Sequence, residues 1–175
     1  MFALHSDRIK LIALNYHQIQ LWAKSWAEME KSLGVLPLVP QIDPDYQKEI
    51  DDALQSYWLP QVAENEANYE WFTAWQVIHL KENVIIGGIG LMGLPDENGQ
   101  TMVGYHTDQR FQKQGFASEA LNLLLAWAFE HSALQCVVAT TNLDNIPSQR
   151  VLQKSGFGEL KKDSEFVYWE KKREK

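Results

Sequence analysis

The six residues Gln112-Lys113-Gln114-Gly115-Phe116-Ala117 carry the clearest chemical signal in the chain. They follow a strand-like run, Thr101–Thr107, and open a long apolar run of helical spacing. The first backbone N–H groups of a helix have no intrahelical partners, and the helix dipole adds partial positive charge to them. Small residues at Gly115 and Ala117 leave those groups accessible, and Lys113 adds a cation. A strand, a turn and such a helix start together form a site for an anion of pyrophosphate type. The segment has neither the Gly-Lys-Ser/Thr of a nucleotide P-loop nor the Gly-x-Gly-x-x-Gly of a dinucleotide fold. On residue chemistry alone it is an anion site; packing or capping by a small residue is the competing explanation.

A second segment narrows that reading. Asn142-x-x-Asn145-x-x-Ser148 is followed by Val151-Leu152-Gln153-Lys154-Ser155-Gly156-Phe157. Gln112-x-x-Gly115-x-Ala117 resembles the acetyl-CoA motif of the GCN5-related N-acetyltransferases, Gln/Arg-x-x-Gly-x-Gly/Ala. With Gly104-Tyr105 before it, Ser118-Glu119-Ala120 after it and the second segment downstream, the chain is similar to the branch that contains the ribosomal-protein N-terminal acetyltransferases. The motifs cover about residues 100–160, and the element order fits over most of the chain. The resemblance implies acetyl-CoA as cosubstrate, an amine acceptor, no metal, and a mixed α/β (α+β) fold. Its sheet would be central, mostly antiparallel, of about six or seven strands splayed in the middle, with about four flanking helices.

The resemblance also implies roles. Tyr105, His106 and Thr107 would lie along the pantetheine arm, which fills the splay as a missing strand would. The backbone of Gln112, Lys113, Gln114, Gly115, Phe116 and Ala117 would hold the pyrophosphate, with a hydroxyl from Ser118. Asn142 and Asn145 would contact the pantetheine or the adenine side, although each also suits a turn or a helix cap. The sequence departs from the family where several members carry a general acid and base, with Leu152 at the tyrosine position and Met102 at the glutamate position. Ser148 then stands where the ribosomal-protein branch has a serine assisting the departing sulfur. His106, beside the expected thioester, is the best-placed base by type, since imidazole titrates near neutrality. The missing acid–base pair keeps a second reading open, a non-catalytic acyl-CoA-binding module of the same fold. A structural domain with only an anion site is a third.

The rest of the chain must position these residues. Arg8–Leu14 reads as a first strand. Asn15 with Gln18 forms a capping box, and Ile19, Trp22, Trp26, Met29 and Leu33 follow on one helical stripe that stops at Gly34. Asp43-Pro44 starts a second helix striped by Tyr46, Ile50, Leu54 and Tyr57 or Trp58, which Pro60 ends or kinks. Trp71–Leu80 and Asn83–Leu94 read as strands, and Asn98-Gly99 as a hairpin turn. Gly115–His131 is a buried helix, Leu134–Thr141 a strand, and Asn145–Ser155 a helix closed by Gly156-Phe157. Gly158–Lys161 and Glu165–Lys171 are final strands. The order β-α-α-β-β-β-α-β-α-β-β describes one domain over 1–175. It divides into a first strand and two acceptor-side helices (1–70), strands with the anion motif (71–120), and helix, second motif and last strands (121–175). In the related family the early helices build the acceptor pocket, and Trp58, near a helix end, is the candidate wall residue.

Composition sets outer limits. The chain has 175 residues, 22% of them charged, and a net charge of −7, which disfavours direct nucleic-acid binding. Its single cysteine, Cys136, excludes an intramolecular disulfide and reads as a buried inert thiol. The most apolar stretch, Val84–Leu94, is shorter than the ~20 residues that span a bilayer, and no signal pattern precedes it. The expectation is a cytoplasmic protein without membrane partners, monomeric or homodimeric. His79 reads as a surface residue, His5, His17 and His131 have no partner pattern, and no metal-ligand spacing occurs. Lys171–Lys175 reads as a solvated basic tail.

Overall fold

The computed structural model describes residues 1–174, and Lys175 lies outside them. Eight strands form one sheet in the order β1-β2-β3-β4-β5-β6-β8-β7. They are β1 (Ala3–His5), β2 (Ile9–Ala13), β3 (Trp75–His79), β4 (Val84–Leu91), β5 (Gln100–Thr107), β6 (Cys136–Asn142), β7 (Gly158–Lys162) and β8 (Phe166–Lys172). All neighbours are antiparallel except β5 and β6. The strand beyond the expected seven is β1, a three-residue edge hidden in the alternating N-terminal sequence. Its turn closes when Ser6 N–H donates to Ile9 C=O at 3.0 Å.

Six α-helices replace the expected four because the first two each divide. They are α1 (Tyr16–Lys24), α2 (Trp26–Leu33), α3 (Pro44–Ala53), α4 (Leu59–Glu64), α5 (Phe116–Ala128) and α6 (Ile146–Lys154). The capping box of Asn15 and Gln18 forms as the sequence indicates. Ser25 is extended (φ −163°, ψ 126°) and breaks the first stripe, yet its N–H still closes on Leu21 C=O at 2.8 Å. The residue spacing survives this break, which is why periodicity alone did not reveal it. Between α3 and α4, Leu54–Trp58 widens into a π-turn. Pro60 has no N–H and its ring crowds the carbonyl four residues back, so a wider turn lets the chain continue, kinked rather than ended. The strand expected from Trp71 begins only at Trp75, because Glu66–Trp71 forms a 3-10 turn whose Glu70 carbonyl accepts from Trp75 Nε1 at 2.8 Å.

The sheet separates two cores, since successive strand residues face opposite sides. Ile9, Leu11, Trp75, Val77 and Val103 pack with Phe116, Leu121 and Leu124 of α5 and with Leu152 of α6. Ile12, Leu14, Ile78 and Ile85 pack with Ile19, Trp22, Met29, Ile50 and Leu54 from the early helices. Residues 171–173 are held rather than forming a solvated tail: Lys171 and Lys172 belong to β8, and Arg173 Nε donates to Leu134 C=O at 2.8 Å. Cys136 is half-buried at the start of β6, with burial and the nearby Glu170 raising its thiol pKa.

The feature that positions the site is a parting of the sheet. β5 and β6 are in register only over Gln100–Met102 and Cys136–Val138. Beyond that point β5 stays with β4 as far as Thr107, while β6 stays with β8 as far as Asn142. The sheet is therefore splayed in the middle, as the resemblance implied.

Candidate functional site

On the β4 side of β5, Met92 N–H donates to Met102 C=O at 2.9 Å and Asp108 N–H to Ile86 C=O at 2.9 Å. Bonded pairs alternate along an antiparallel ladder, so Gly104 and His106 spend their backbone groups on β4. Those of Tyr105 and Thr107 point into the gap, beyond the last residue that pairs with β6. Two of them already have side-chain partners. Tyr46 Oη donates to Tyr105 C=O at 3.0 Å, and Gln112 Nε2 to Thr107 C=O at 3.1 Å.

The anion motif lies at the far end of the gap. A 3-10 turn, Gln109–Phe111, leads from β5 into a loop where Lys113 (φ 61°) and Gly115 (φ 87°) both adopt left-handed conformations. Gly115 is the N-cap of α5 and supplies no side-chain cap, so the first N–H groups of that helix receive no acceptor from it. Turns with alternating backbone handedness aim successive N–H groups into a concavity that suits anions. Gln112, Lys113 and Gln114 are exposed, Ala117 is half-buried, and Ser118 is buried. Arg8 braces the loop from beneath: its guanidinium pairs with Glu119, donates to Gln114 C=O at 3.1 Å and lies 4.5 Å from the Phe116 ring centroid.

Across the gap, α6 brings Ser148 to Tyr105. The two hydroxyls are 2.9 Å apart, and Tyr105 Oη also lies 3.1 Å from Ser148 C=O. Burial pushes the Tyr105 hydroxyl up to about 12, against the lowering effect of the Ser148 contact. It therefore remains a protonated donor at neutral pH. Asn145 caps α6, accepting from Ser148 N–H at 3.2 Å, and Asn142 is exposed at the end of β6. Leu152, at the position of the missing tyrosine, is fully buried.

His106 occupies the opposite face. It lines a cavity of about 520 Å³ together with Trp22, Trp26, Pro40, Ile50, Asp51 and Gln76. Burial pulls the imidazole down to about 4, with Asp108 opposing weakly, so the ring is neutral at pH 7. The Tyr46 ring lies 5.8 Å from it, and burial with the neighbouring Glu49 raises the Tyr46 hydroxyl to about 12. Trp58 stacks on Trp22 at 5.4 Å and does not itself line the cavity; Trp22 and Trp26 form that wall. His79 is not a surface residue, since its ring packs 5.1 Å from Phe116 and 5.7 Å from Phe111.

Cavity and anion loop are tied together by Asp108, which is buried. Its carboxylate accepts from Gln41 N–H at 2.7 Å, Arg110 N–H at 3.0 Å and Arg110 Nη2 at 2.7 Å, while Arg110 Nη2 also reaches Val39 C=O at 2.8 Å. Burial alone would raise the Asp108 carboxyl, but these donors outweigh it and hold it below the ordinary carboxylate range. Sequence reading missed Asp108, Tyr46 as a site residue, and Gln76. The available signal for Gln76 was a polar residue inside the apolar run Trp75–Ile78. A Gly-x-Gly-x-x-Gly spacing does exist at Gly88, Gly90 and Gly93, but it runs along and just past β4 toward a hairpin, with no helix start to hold a phosphate. Among the described residues no group of His, Cys, Asp and Glu is arranged to hold a metal, and no helix is long and apolar enough to cross a membrane.

Comparison with known proteins bears on the family and the fold. The chain is 26% identical over 169 residues to an uncharacterized N-acetyltransferase, YjdG, of Bacillus subtilis, covering 97% of each chain. Its fold superposes on a ribosomal-protein-S5-alanine acetyltransferase from Vibrio fischeri with a TM-score of 0.68 at 18% identity, covering 98% of this chain and 97% of that one. It also superposes on a ribosomal L7/L12 alpha-N-protein acetyltransferase in complex with coenzyme A, with a TM-score of 0.66 at 16% identity and 98% of both chains covered. The family model for the acetyltransferase (GNAT) domain matches residues 14–158, and the chain belongs to that family.

Proposed function

We propose that the protein transfers the acetyl group of acetyl-CoA directly to a primary amine, either a protein N-terminus or a small amine. The observation that carries this reading is the parting of β5 from β6 beside an open helix start. The backbone N–H groups of Tyr105 and Thr107 face the gap beyond the last residue that pairs with β6, and the N–H cluster of Lys113–Ala117 lies at its far end. An extended amide-bearing arm ending in a pyrophosphate satisfies both, because each unpaired backbone group left buried is costly. In this reading Tyr105, His106 and Thr107 flank the pantetheine. Gln112, Lys113, Gln114, Gly115, Phe116, Ala117 and Ser118 form the pyrophosphate site, and Asn142 and Asn145 border the nucleotide side.

The bound thioester supplies an activated acyl carbon, and the protein's own residues supply position and protons. An amine enters from the Trp22–Trp26 cavity, with Trp58 supporting that wall. Its nitrogen forms the C–N bond as the C–S bond breaks, and the nitrogen's proton leaves. His106, neutral at pH 7, accepts this proton only once bond formation has made the nitrogen acidic, since an imidazole with a pKa of about 4 is a weak base toward a free ammonium. Ser148 donates its hydroxyl proton toward the departing sulfur and is resupplied by Tyr105, whose hydroxyl lies 2.9 Å away; Tyr105 then regains a proton from solvent as His106 releases the one it took from the nitrogen. The balance is one amide and one thiol from one amine and one thioester.

The test is release of free thiol from acetyl-CoA across a panel of amines, with thermal stabilisation by acetyl-CoA measured in parallel. Stabilisation with amine-dependent thiol release is expected. Stabilisation without release from any amine would leave only the acyl-CoA-binding module, the reading that Leu152 and Met102 favour. Stabilisation by ATP or NAD but not by acetyl-CoA would overturn both.

A further inference from the structure

Gln76 and His106, the two sheet residues that line the cavity, belong to one row across the sheet. Strand registers align Ile12 with Gln76, Gln76 with Gly88, and Gly88 with His106, so all four face the early helices. Gly88 is what brings the two polar members together. A Cβ there would lie 2.6 Å from His106 Cε1 and 3.3 Å from Nδ1, so the imidazole lies over the bare glycine and extends toward Gln76. Gln76 is 1% exposed, and its Nε2 has no hydrogen-bond partner. Among the described residues only Ser155 Oγ shares that condition, and it lies outside this cavity. Buried polar atoms are almost always paired, so an unpaired amide on a cavity floor beside a neutral imidazole marks a ligand contact.

We propose that Gln76 is a specificity residue: its side-chain amide donates to an oxygen of the acceptor amine. This assignment rests on the acyl-transfer reading and gives it a substrate class. The remainder of the lining does not select by charge, because Lys24 and Asp51 present both signs and Trp22, Trp26, Ile50 and Leu54 present apolar surface. Of the other polar lining residues, Gln47 is held by Asp51 at 2.9 Å, Gln55 is exposed and Ser25 is half-buried, so the fully buried donor that discriminates is Gln76. Bonded to its nitrogen's side of the molecule, the acceptor needs a carbonyl or carboxylate oxygen close to the amine, as amino acids and peptide N-termini have. A plain alkylamine of the same bulk leaves the amide unpaired. Sites built to bond a polar substrate group discriminate strongly against analogues that lack it.

The experiment compares alaninamide with sec-butylamine, at matched free-base concentration, in wild type and in Gln76→Met, which keeps volume but removes the amide. Wild type is expected to prefer alaninamide in kcat/KM by about tenfold or more, with the preference falling toward unity in the variant. The variant's Tm is expected to hold or rise, because an unpaired buried amide has been removed; a role in packing alone would lower it. Calorimetric binding of N-acetylalaninamide and N-sec-butylacetamide to the CoA-bound protein gives a second readout that needs no turnover. A preference for the first product that disappears in the variant, without thiol release from any amine, would keep the Gln76 assignment and remove the transferase reading. Turnover of both amines with no preference, or a preference that survives in Gln76→Met, would overturn the assignment alone. Neither turnover nor product binding would overturn both.

Discussion

Ser148 was legible as a candidate only through its place in a motif; what makes it chemically plausible is Tyr105, 2.9 Å across the gap. No spacing rule pairs residues 43 positions apart, so this contact belongs to the fold rather than to the sequence. Ser148→Ala is expected to lower kcat about tenfold or more while changing acetyl-CoA affinity much less, measured by steady-state kinetics beside calorimetry. Equal losses would make it a binding residue. His106 was legible by type, but its ordinary titration range was misleading. Its folded pKa of about 4 lies below the unfolded value of about 6.5. Between those values the unfolded chain binds more protons than the folded one, so stability contributed by the neutral ring is complete above about pH 6.5 and is lost as pH falls through 4. The magnitude is about 3 kcal/mol. Urea unfolding of wild type and His106→Gln from pH 7 to pH 4 should give a steep decline in the first and a flatter one in the second. Parallel declines would mean that the imidazole titrates normally.

At the scale of elements, local chemistry was readable wherever it was self-contained. Asn15 with Gln18, Asp43 before Pro44, Asn145 before Pro147 and the left-handed Gly34 and Gly156 all act within one helix turn, and each appears at its expected end. The break at Ser25 and the π-turn at Leu54–Trp58 were not readable, because both preserve the apolar stripe and are settled by packing against the sheet. Gly115 combines the two cases. A glycine at the start of α5 is evident from sequence, but its φ of 87° is known only from the loop that Arg8 braces. A Cβ there would meet nothing closer than Arg8 Nη2 at 3.5 Å, so steric exclusion is not the reason for glycine. The reason is backbone conformation, which costs other L-residues about 1–2 kcal/mol. Gly115→Ala is therefore expected to lower stability by about that amount and to weaken acetyl-CoA binding by relaxing the loop, with kcat at saturation less affected. Unchanged calorimetric affinity would remove the loop conformation from the binding site.

For the whole molecule, the element order and the sheet's mixed character followed from periodicity and punctuation, whereas the parting of β5 from β6 followed only from the family resemblance. Nothing in the composition of either strand marks where pairing stops. The same holds for the link between the two halves of the site. The segment 39–42, which lines the cavity of Trp22 and Trp26, and the loop 109–115, the proposed anion site, are separated by nearly seventy positions, yet both are tied to the carboxylate of Asp108. One buried acceptor with donors from both segments makes their positions interdependent. Asp108→Asn keeps the shape but loses the ion pair and leaves a donor facing donors, at a cost of about 1–3 kcal/mol. Because the Asp108 carboxyl is held below its ordinary range, the wild-type advantage is complete at neutral pH and is lost as pH falls through that depressed value, below the window set by His106. Urea titrations should therefore give a difference between wild type and variant that is full at pH 7 and shrinks only as the pH is taken below the ordinary carboxylate range. The kinetic consequence distinguishes a shared hub from a local brace: a hub predicts that the KM values for acetyl-CoA and for the amine rise together in the variant. A rise in only one would mean that the cavity wall and the anion loop are positioned independently.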